Sequence, residues 1–303
     1  MATPYSRYLV GSLPWYSVLV VLGMVLALLH CSREEKRLGL RQDTVIDLAL
    51  RVIPCGIIGA RLYYVAFSWE TFAGHPLSIL RVWEGGLAVY GGIIGGLLAA
   101  VVFSRRRKIP LAQLTDMIVP GLALAQAIGR WGNYFNMEAY GAVITDTAWQ
   151  FFPAGVLIPE SGGMVWHMAT FFYESVWDFA VFLALMRLRT RTHRRFDLSC
   201  WYLLLYGAGR FVIEGLRTDS LMAFGGLRAS QLLSAAMCLF ALGRFAWLVR
   251  KERHLWLLTL PVGAIALALC AMLPLPLVFR HLGMALTVIL CGALLYPQTH
   301  PED

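Results

Sequence analysis

Apolar residues fall along this chain in long blocks rather than in alternation with polar ones. The blocks lie near residues 13–31, 45–67, 86–104, 115–135, 170–188, 198–214, 229–249, 255–273 and 277–296. Most approach the roughly 20 residues that a helix needs to cross a hydrocarbon layer. In lipid, a helix satisfies its own backbone groups, so the pattern predicts nine spanning helices and an all-α integral membrane protein. The first block, "LPWYSVLVVLGMVLALLH" (Leu13–His30), is long enough to span, and no small-residue cleavage site follows it, so it reads as a retained helix rather than a cleaved leader. The fourth contains Pro120, Asp116, Arg130 and three glycines and is expected to be broken or partly re-entrant.

The polar stretches between blocks are asymmetric. Arg33, Lys36, Arg37 and Arg41 follow the first block; Arg105, Arg106, Arg107 and Lys108 the third; Arg187, Arg189, Arg191, Arg194 and Arg195 the fifth; Arg250, Lys251 and Arg253 the seventh. All follow odd-numbered blocks, so the positive-inside rule puts them in the cytoplasm, the N-terminus outside and the C-terminus inside. The segment from Asn136 to Thr170 has no Lys or Arg and is expected to form a small extracytoplasmic cap. These placements account for the formal net charge of +8 without a nucleic-acid partner, in a chain of 303 residues that is 58% hydrophobic and 15% charged. The six cysteines form no CxxC pair and read as small buried hydrophobes; no histidine sits in a zinc-type HExxH spacing, and no metal is expected.

"YGGIIGG" (Tyr90–Gly96) sets Gly91 and Gly95, and Gly92 and Gly96, four apart. For Gly95 and Gly96 the expected use is close helix packing; Gly91 and Gly92, near the outer end of the block, would let a lipid headgroup approach the backbone. Ionisable residues inside the blocks are costly and mark candidate sites. Asp47 and Arg51 read as an internal i,i+4 ion pair and Asp178 as structural, while Arg61 is open. Arg130, Glu138, Arg210, Glu214 and Arg217 differ, because the expected topology brings two clusters some eighty residues apart to one membrane depth. Arginine grips phosphate through a planar fork of donors. Asn133 and Asn136 would bind hydroxyls or carbonyls, and Glu138 and Glu214 would orient the arginines or handle protons. From residue types and spacing alone, the site binds a polar, anionic lipid or substrate.

"GRWGNYFNMEAYG" (Gly129–Gly141) resembles the signature of the bacterial prolipoprotein diacylglyceryl transferases, Gly-Arg-x-Gly-Asn-Phe-x-Asn-x-Glu-x-x-Gly, with Tyr134 in the Phe place. "PWYSVLVVLG", "EGGLAVYGGIIGG", "FFYESVWD" and "GRFVIEGLRTDSL" are similar to further elements of that family, and the resemblance spans about residues 13–250. It implies a seven-span transferase core over 1–250, including the 136–170 cap, with 251–303 as an added two-span hairpin and short cytoplasmic tail. "LPLPL" (Leu273–Leu277) would turn that hairpin, whose expected role is accessory packing. It also implies a bacterial plasma-membrane enzyme that moves the diacylglyceryl group of phosphatidylglycerol to the lipobox cysteine of prolipoproteins, releasing glycerol 1-phosphate without a cofactor. Its partners would be those substrates and the surrounding membrane lipids.

On that resemblance Arg130 and Arg210 bind and polarise the phosphate, and Asn133, Asn136 and Glu138 shape the glycerol site, Glu138 being a further catalytic candidate. Gly141 lies in the same site, and Tyr16, Gly85, Gly86, Tyr90 and Gly91 line the headgroup pocket. Glu214 and Arg217 form an ion-paired support, and Asp116 and Glu174 stand behind these groups. Some family members place a histidine where Tyr90 stands; a phenol, with an ordinary pKa of about 10, is a poor base at neutral pH, and Tyr90 reads as a hydrogen bonder. The family's His-Pro before the Tyr-Glu element is replaced by "HMATFFYES", which leaves His167 without an assigned role. The rival class, a transporter or flippase for an anionic lipid, predicts internal repeats and a midplane site; the sequence shows no repeat and its polar clusters lie at an edge.

Overall fold

The computed structural model describes residues 6–192, 194–218, 222–224, 227–249, 255–272 and 276–296. Arg250, Lys251, Arg253, residues 273–275 of the expected hairpin turn, and the tail from 297 onward lie outside the described residues. The helices are α1 (Trp15–Arg37), α2 (Thr44–Phe67), α3 (Trp69–Phe72), α4 (Val89–Arg107), α5 (Leu111–Asn136), α6 (Thr170–Leu188), α7 (Asp197–Leu216), α8 (Ala229–Val249), α9 (Leu255–Met272) and α10 (Leu277–Leu295). Every apolar block is thus a long helix. Among the described residues, five segments, Trp15–Arg37, Val89–Arg107, Leu111–Asn136, Ala229–Val249 and Val278–Leu295, are long and apolar enough to cross a membrane. α2, α6 and α7 each carry three Asp, Glu or Arg residues, which lowers their hydropathy. Basic residues fill the last turns of α1, α4 and α6, where they also complement the negative end of the helix dipole.

The loops hold structure that the block pattern does not show. Among the described residues, three two-stranded antiparallel ribbons form: β1 (Tyr8–Val10) with β2 (Leu13–Pro14), β3 (Gly155–Glu160) with β4 (Gly163–Met168), and β5 (Met222–Phe224) with β6 (Leu227–Arg228). β3 and β4 pair in unbroken register, Gly155 against Met168 through Glu160 against Gly163.

The chain divides into two compact units, Met1–Ala27 with Val119–Asp303, and Leu28–Ile118. In the second, Cys31, Val45, Leu48, Phe103, Leu114 and Met117 form the core. The Glu35 carboxylate accepts from Asp43 N–H (3.0 Å) and Val45 N–H (2.6 Å), satisfying donors at the start of α2. Helices α2 and α4 meet backbone to backbone: a Cβ on Gly91 would overlap the Gly59 carbonyl and one on Gly95 the Cys55 carbonyl. Gly96 makes only ordinary contact with Val52. Gly91, expected to open the backbone to a headgroup, is therefore buried against α2, because small residues four apart let the helices close completely. Asp47 pairs with Arg51 as expected and also with Arg107.

Arg61 is almost wholly buried, and its fork organises the loop between α2 and α4. Nε donates to Ile79 O (2.8 Å), Nη1 to Gly85 O (2.7 Å) and Gly86 O (3.1 Å), and Nη2 to Ser78 O (2.7 Å) and Arg81 O (3.4 Å). A guanidinium has five N–H donors, and all five are engaged by carbonyls. Arg61 is a loop staple and not an anion clamp.

In the first unit α7 is the central helix. Leu198, Cys200, Leu204 and Ala208 pack with Val181 and Leu185 of α6, Cys238, Ala241 and Phe245 of α8, and Leu295 of α10. α5 runs unbroken from Leu111 to Asn136 with Pro120 inside it, which corrects the expectation of a broken or re-entrant fourth span. α1 explains the tolerance: a Cβ on Gly121 would lie 3.1 Å from Ala27 O, and one on Gly23 3.0 Å from Ala125 O, so the glycines let a neighbouring helix enclose the proline's turn. The six cysteines are free thiols; Cys55, expected buried, is exposed.

Candidate functional site

Three side-chain hydrogen bonds to or from α5, α6 and α7 set their mutual register. Ser175 Oγ donates to Ala127 O (2.7 Å), Trp177 Nε1 to Leu205 O (3.0 Å), and Tyr202 Oη to Gln126 Oε1 (2.9 Å). The Trp177 indole lies where a side chain on Gly209 would stand, so α6 and α7 approach closely one residue from Arg210. The register puts Glu174, in the second turn of α6, between the two arginines. Arg130 Nη2 lies 2.7 Å from Glu174 Oε1; Arg210 Nη1 lies 2.7 and 2.8 Å from its two oxygens. Arg210 Nη2 reaches Glu214 Oε2 at 2.6 Å, and the other Glu214 oxygen accepts from Ser230 Oγ at 2.8 Å. The Tyr206 hydroxyl lies beside Arg130.

Accessibility is unequal across this chain of charges. The Arg130 and Arg210 side chains are 22% and 14% exposed, whereas Glu174 and Glu214 are 2% and 3% exposed. The face open to a ligand is therefore cationic, with the carboxylates behind it. Asp178, one turn beyond Glu174, is 1% exposed, and neither of its oxygens has a hydrogen-bond partner.

The signature residues after Arg130 build a second feature. Met137 and Ala139 both take positive φ (54° and 57°), which reverses the chain immediately after α5. Glu138 N–H bonds back to Asn133 O (3.0 Å), and the Glu138 carboxylate accepts from the amides of Asn133 (3.0 Å) and Asn136 (3.1 Å). Arg7 Nε donates to Asn136 Oδ1 (3.1 Å). Thr170 Oγ1 donates to Ala139 O (2.6 Å), fixing the turn to the start of α6. Tyr16 covers Gly132, whose missing Cβ would lie 2.6 Å from the Tyr16 ring.

Gly141 ties the loop to α7. It forms an antiparallel bridge with Arg217, and a Cβ there would lie 2.8 Å from Leu216 O. His167, left without a role by the sequence, shares hydrogen bonds with Gly141 O through Nδ1 and with Glu160 Oε1 through Nε2, each 2.9 Å, and so braces the β3–β4 ribbon against this loop. Arg130, Arg210, Glu174 and Glu214 are thus brought together, as are Asn133, Asn136 and Glu138, and Gly141 and Arg217.

A family model described as prolipoprotein diacylglyceryl transferase matches residues 7–247. The chain belongs to the prolipoprotein diacylglyceryl transferase family. Three bacterial relatives carry the name phosphatidylglycerol–prolipoprotein diacylglyceryl transferase. That of Streptococcus agalactiae is 40% identical over 246 residues, covering 80% of this chain and 94% of the relative. That of Halalkalibacterium halodurans is 41% identical over 248 residues (80% and 83%), and that of Enterococcus faecalis 44% identical over 232 residues (75% and 84%). With its apolar helices, the chain is a multi-pass bacterial membrane protein of this transferase family.

The other expected site residues of this family member, Gly85, Gly86, Tyr90 and Gly91, belong to the second compact unit. Gly85 and Gly86 have positive φ (90° and 69°) and line a cavity of about 760 Å³ together with Arg61, Tyr64, His75 and Arg81. Tyr90 is half exposed, its ring 6.5 Å from that of Tyr63. Asp116 stands about four helical turns before Arg130 on α5. Two residues of the arginine cluster were not singled out in the sequence as site groups: Tyr206, one turn before Arg210 on α7, and Ser230. Helical spacing points to the first; nothing in the sequence points to the second.

Proposed function

We propose that this protein transfers the diacylglyceryl group of phosphatidylglycerol to the lipobox cysteine of prolipoproteins. The cysteine S–H bond breaks and an S–C bond forms at the glyceryl carbon. The C–O bond to phosphate breaks, and glycerol 1-phosphate leaves while the thiol proton passes to solvent. The observation that carries the reading is the convergence of Arg130 and Arg210, eighty residues apart, on the one buried carboxylate of Glu174.

The phosphodiester enters with one negative charge and leaves as a monoester with more. Donors already aimed at that phosphate stabilise the transition state more than the ground state. Arg130 and Arg210 hold it through their accessible donors. Glu174 keeps the two cations side by side, and Glu214, backed by Ser230, fixes the second face of Arg210. Asn133, Asn136 and Glu138 bind the glycerol headgroup, with Tyr16 lining the approach, and Gly141 and Arg217 join the two clusters. A thiol of ordinary pKa, about 8.5, is only a few per cent thiolate at neutral pH, and the cationic face raises that fraction.

We place the protein in the plasma membrane with seven core spans (α1, α2, α4, α5, α6, α7 and α8) followed by the α9–α10 hairpin. The N-terminus and the 136–170 cap face outward and the arginine clusters after α1, α4 and α6 face the cytoplasm. Purified protein in vesicles containing phosphatidylglycerol, given a lipobox peptide, is expected to add a diacylglyceryl mass to the cysteine and release glycerol phosphate. Redistribution of the lipid between leaflets with no peptide modification would refute the reading and favour a flippase.

A further inference from the structure

The hairpin α9–α10 lies beyond residue 247, where the family match ends. α10 packs along α7, with Leu204 filling the notch at Gly292, and it also makes specific contacts at the two ends of α7. At its start, Tyr296 Oη donates to Asp197 Oδ2 (3.1 Å), and the Tyr296 ring lies 5.5 Å from Trp201 and 5.3 Å from Phe245. The other Asp197 oxygen takes Arg244 Nη1 at 2.5 Å, so this carboxylate joins α7, α8 and the end of α10. Along the middle of α7 lies an apolar cavity of about 300 Å³, bordered by Ala208, Phe211, Leu267, Met284, Ala285 and Val288.

At the other end, buried His281 fills a notch on α7. A Cβ on Gly215 would lie 2.5 Å from His281 Nδ1, and the His281 ring stands edge-on to Phe211 with centroids 5.1 Å apart. Gly215 follows Glu214, whose carboxylate holds Arg210. The backbone of the same turn is held from α8 and from β6 just before it: Gln231 Nε2 donates to Phe211 O (3.2 Å), and Arg228 Nη1 donates to Glu214 O. The last turn of α7 is thus fixed on one side by α8 and on another by α10.

We propose that α10 is a brace for α7 and that His281 is a positioning residue for the reaction: its ring, wedged over Gly215, sets the turn from which Glu214 orients Arg210. The inference rests on the transferase reading given above. It assigns the hairpin a part in the arginine site of this chain rather than in its stability alone.

The test uses the full chain in phosphatidylglycerol vesicles with a lipobox peptide. His281→Ala is expected to lower kcat/KM about fivefold, and Glu214→Gln to lower it more. In the Glu214→Gln background, His281→Ala is expected to have no further effect, because residues acting through one contact are not additive. His281→Phe, which refills the notch with a ring, restores the rate; Leu286→Ala, on the exposed face of α10, leaves it unchanged. Should His281→Ala fail to insert, His281→Asn, which opens less of the notch, is read in the same way. Full additivity with Glu214→Gln overturns the proposal, as does failure of His281→Phe to restore activity or a change in melting temperature with no change in kcat/KM. A wild-type protein that transfers nothing overturns the transferase reading instead.

Discussion

Replacing Glu174 by Gln removes one negative charge from the centre of the site while keeping the side chain's length and shape. Glu174 makes ion-pair contacts of 2.7 Å to Arg130 and 2.7 and 2.8 Å to Arg210. A guanidinium–carboxylate pair with charge centres about 4 Å apart interacts by about 4 kcal/mol at an effective dielectric of 20. Removing one partner of a buried pair costs about 3–5 kcal/mol, because the other charge is left uncompensated. Arg210 keeps Glu214, so the loss falls mainly on Arg130, whose amide replacement partner carries no charge and offers a single acceptor oxygen. The four ion-paired groups change from a net charge of zero to +1, which favours an incoming phosphodiester while releasing the arginine that must be aimed at it.

The expected outcome is therefore a split. With protein inserted in vesicles of graded phosphatidylglycerol content, kcat for diacylglyceryl transfer falls about 100-fold, equivalent to about 2.7 kcal/mol of transition-state stabilisation. The KM for phosphatidylglycerol stays level or falls. Glu174→Asp keeps the charge but reaches less far and gives an intermediate kcat. A Glu174→Gln protein whose kcat lies within about twofold of wild type would refute the claim that this carboxylate orients the clamp; so would a raised KM at unchanged kcat.

Other perturbations follow from the same geometry. Asp178→Asn removes a buried carboxylate with no hydrogen-bond partner, so it is expected to raise the melting temperature in detergent, by the equivalent of about 1 kcal/mol, and to preserve activity; a loss matching that of Glu174→Gln would show that the carboxylate takes part in the reaction. Arg61→Lys replaces a fork of five engaged donors with three on one nitrogen and is expected to destabilise the α2–α4 loop by about 2–4 kcal/mol, read as faster proteolysis between residues 74 and 86; unchanged protection would refute the staple. Gly132→Ala drives a methyl against the Tyr16 ring, at 2.6 Å, and is expected to reduce transfer about tenfold in the native chain but scarcely further in a Tyr16→Ala chain, where the clash is absent; an undiminished single variant would show that no clash exists.

The helices were legible because lipid imposes one solution on a long apolar block, and every block became a helix. Pro120 misled, since the compensating partner, α1, comes from nearly a hundred residues earlier and shows no local mark. The ribbon β3–β4 was missed because its alternation is interrupted by Gly155, Pro159 and Gly163. Arg61 could not be assigned from sequence: its acceptors are carbonyls, which every residue has, and only the turns at 78–86 aim them inward. At the site, residue chemistry and expected topology identified both arginines and placed them at one depth. That Glu174 touches both was not legible, because its position depends on the register of α6 between α5 and α7. Tyr206 and His281 act from helix faces that apolar periodicity does not distinguish from lipid-facing or core positions.

The central claim is that Arg130 and Arg210 act as one clamp joined by Glu174. The measurement that tests it most directly is the rate of diacylglyceryl transfer to a lipobox peptide by Arg130→Ala, Arg210→Ala and the double variant, each confirmed to be inserted in the membrane. The account predicts that each single variant loses about 100-fold or more and that the double variant is scarcely slower than the worse single one. Wild-type rates in either single variant, or losses that multiply in the double variant, would contradict it.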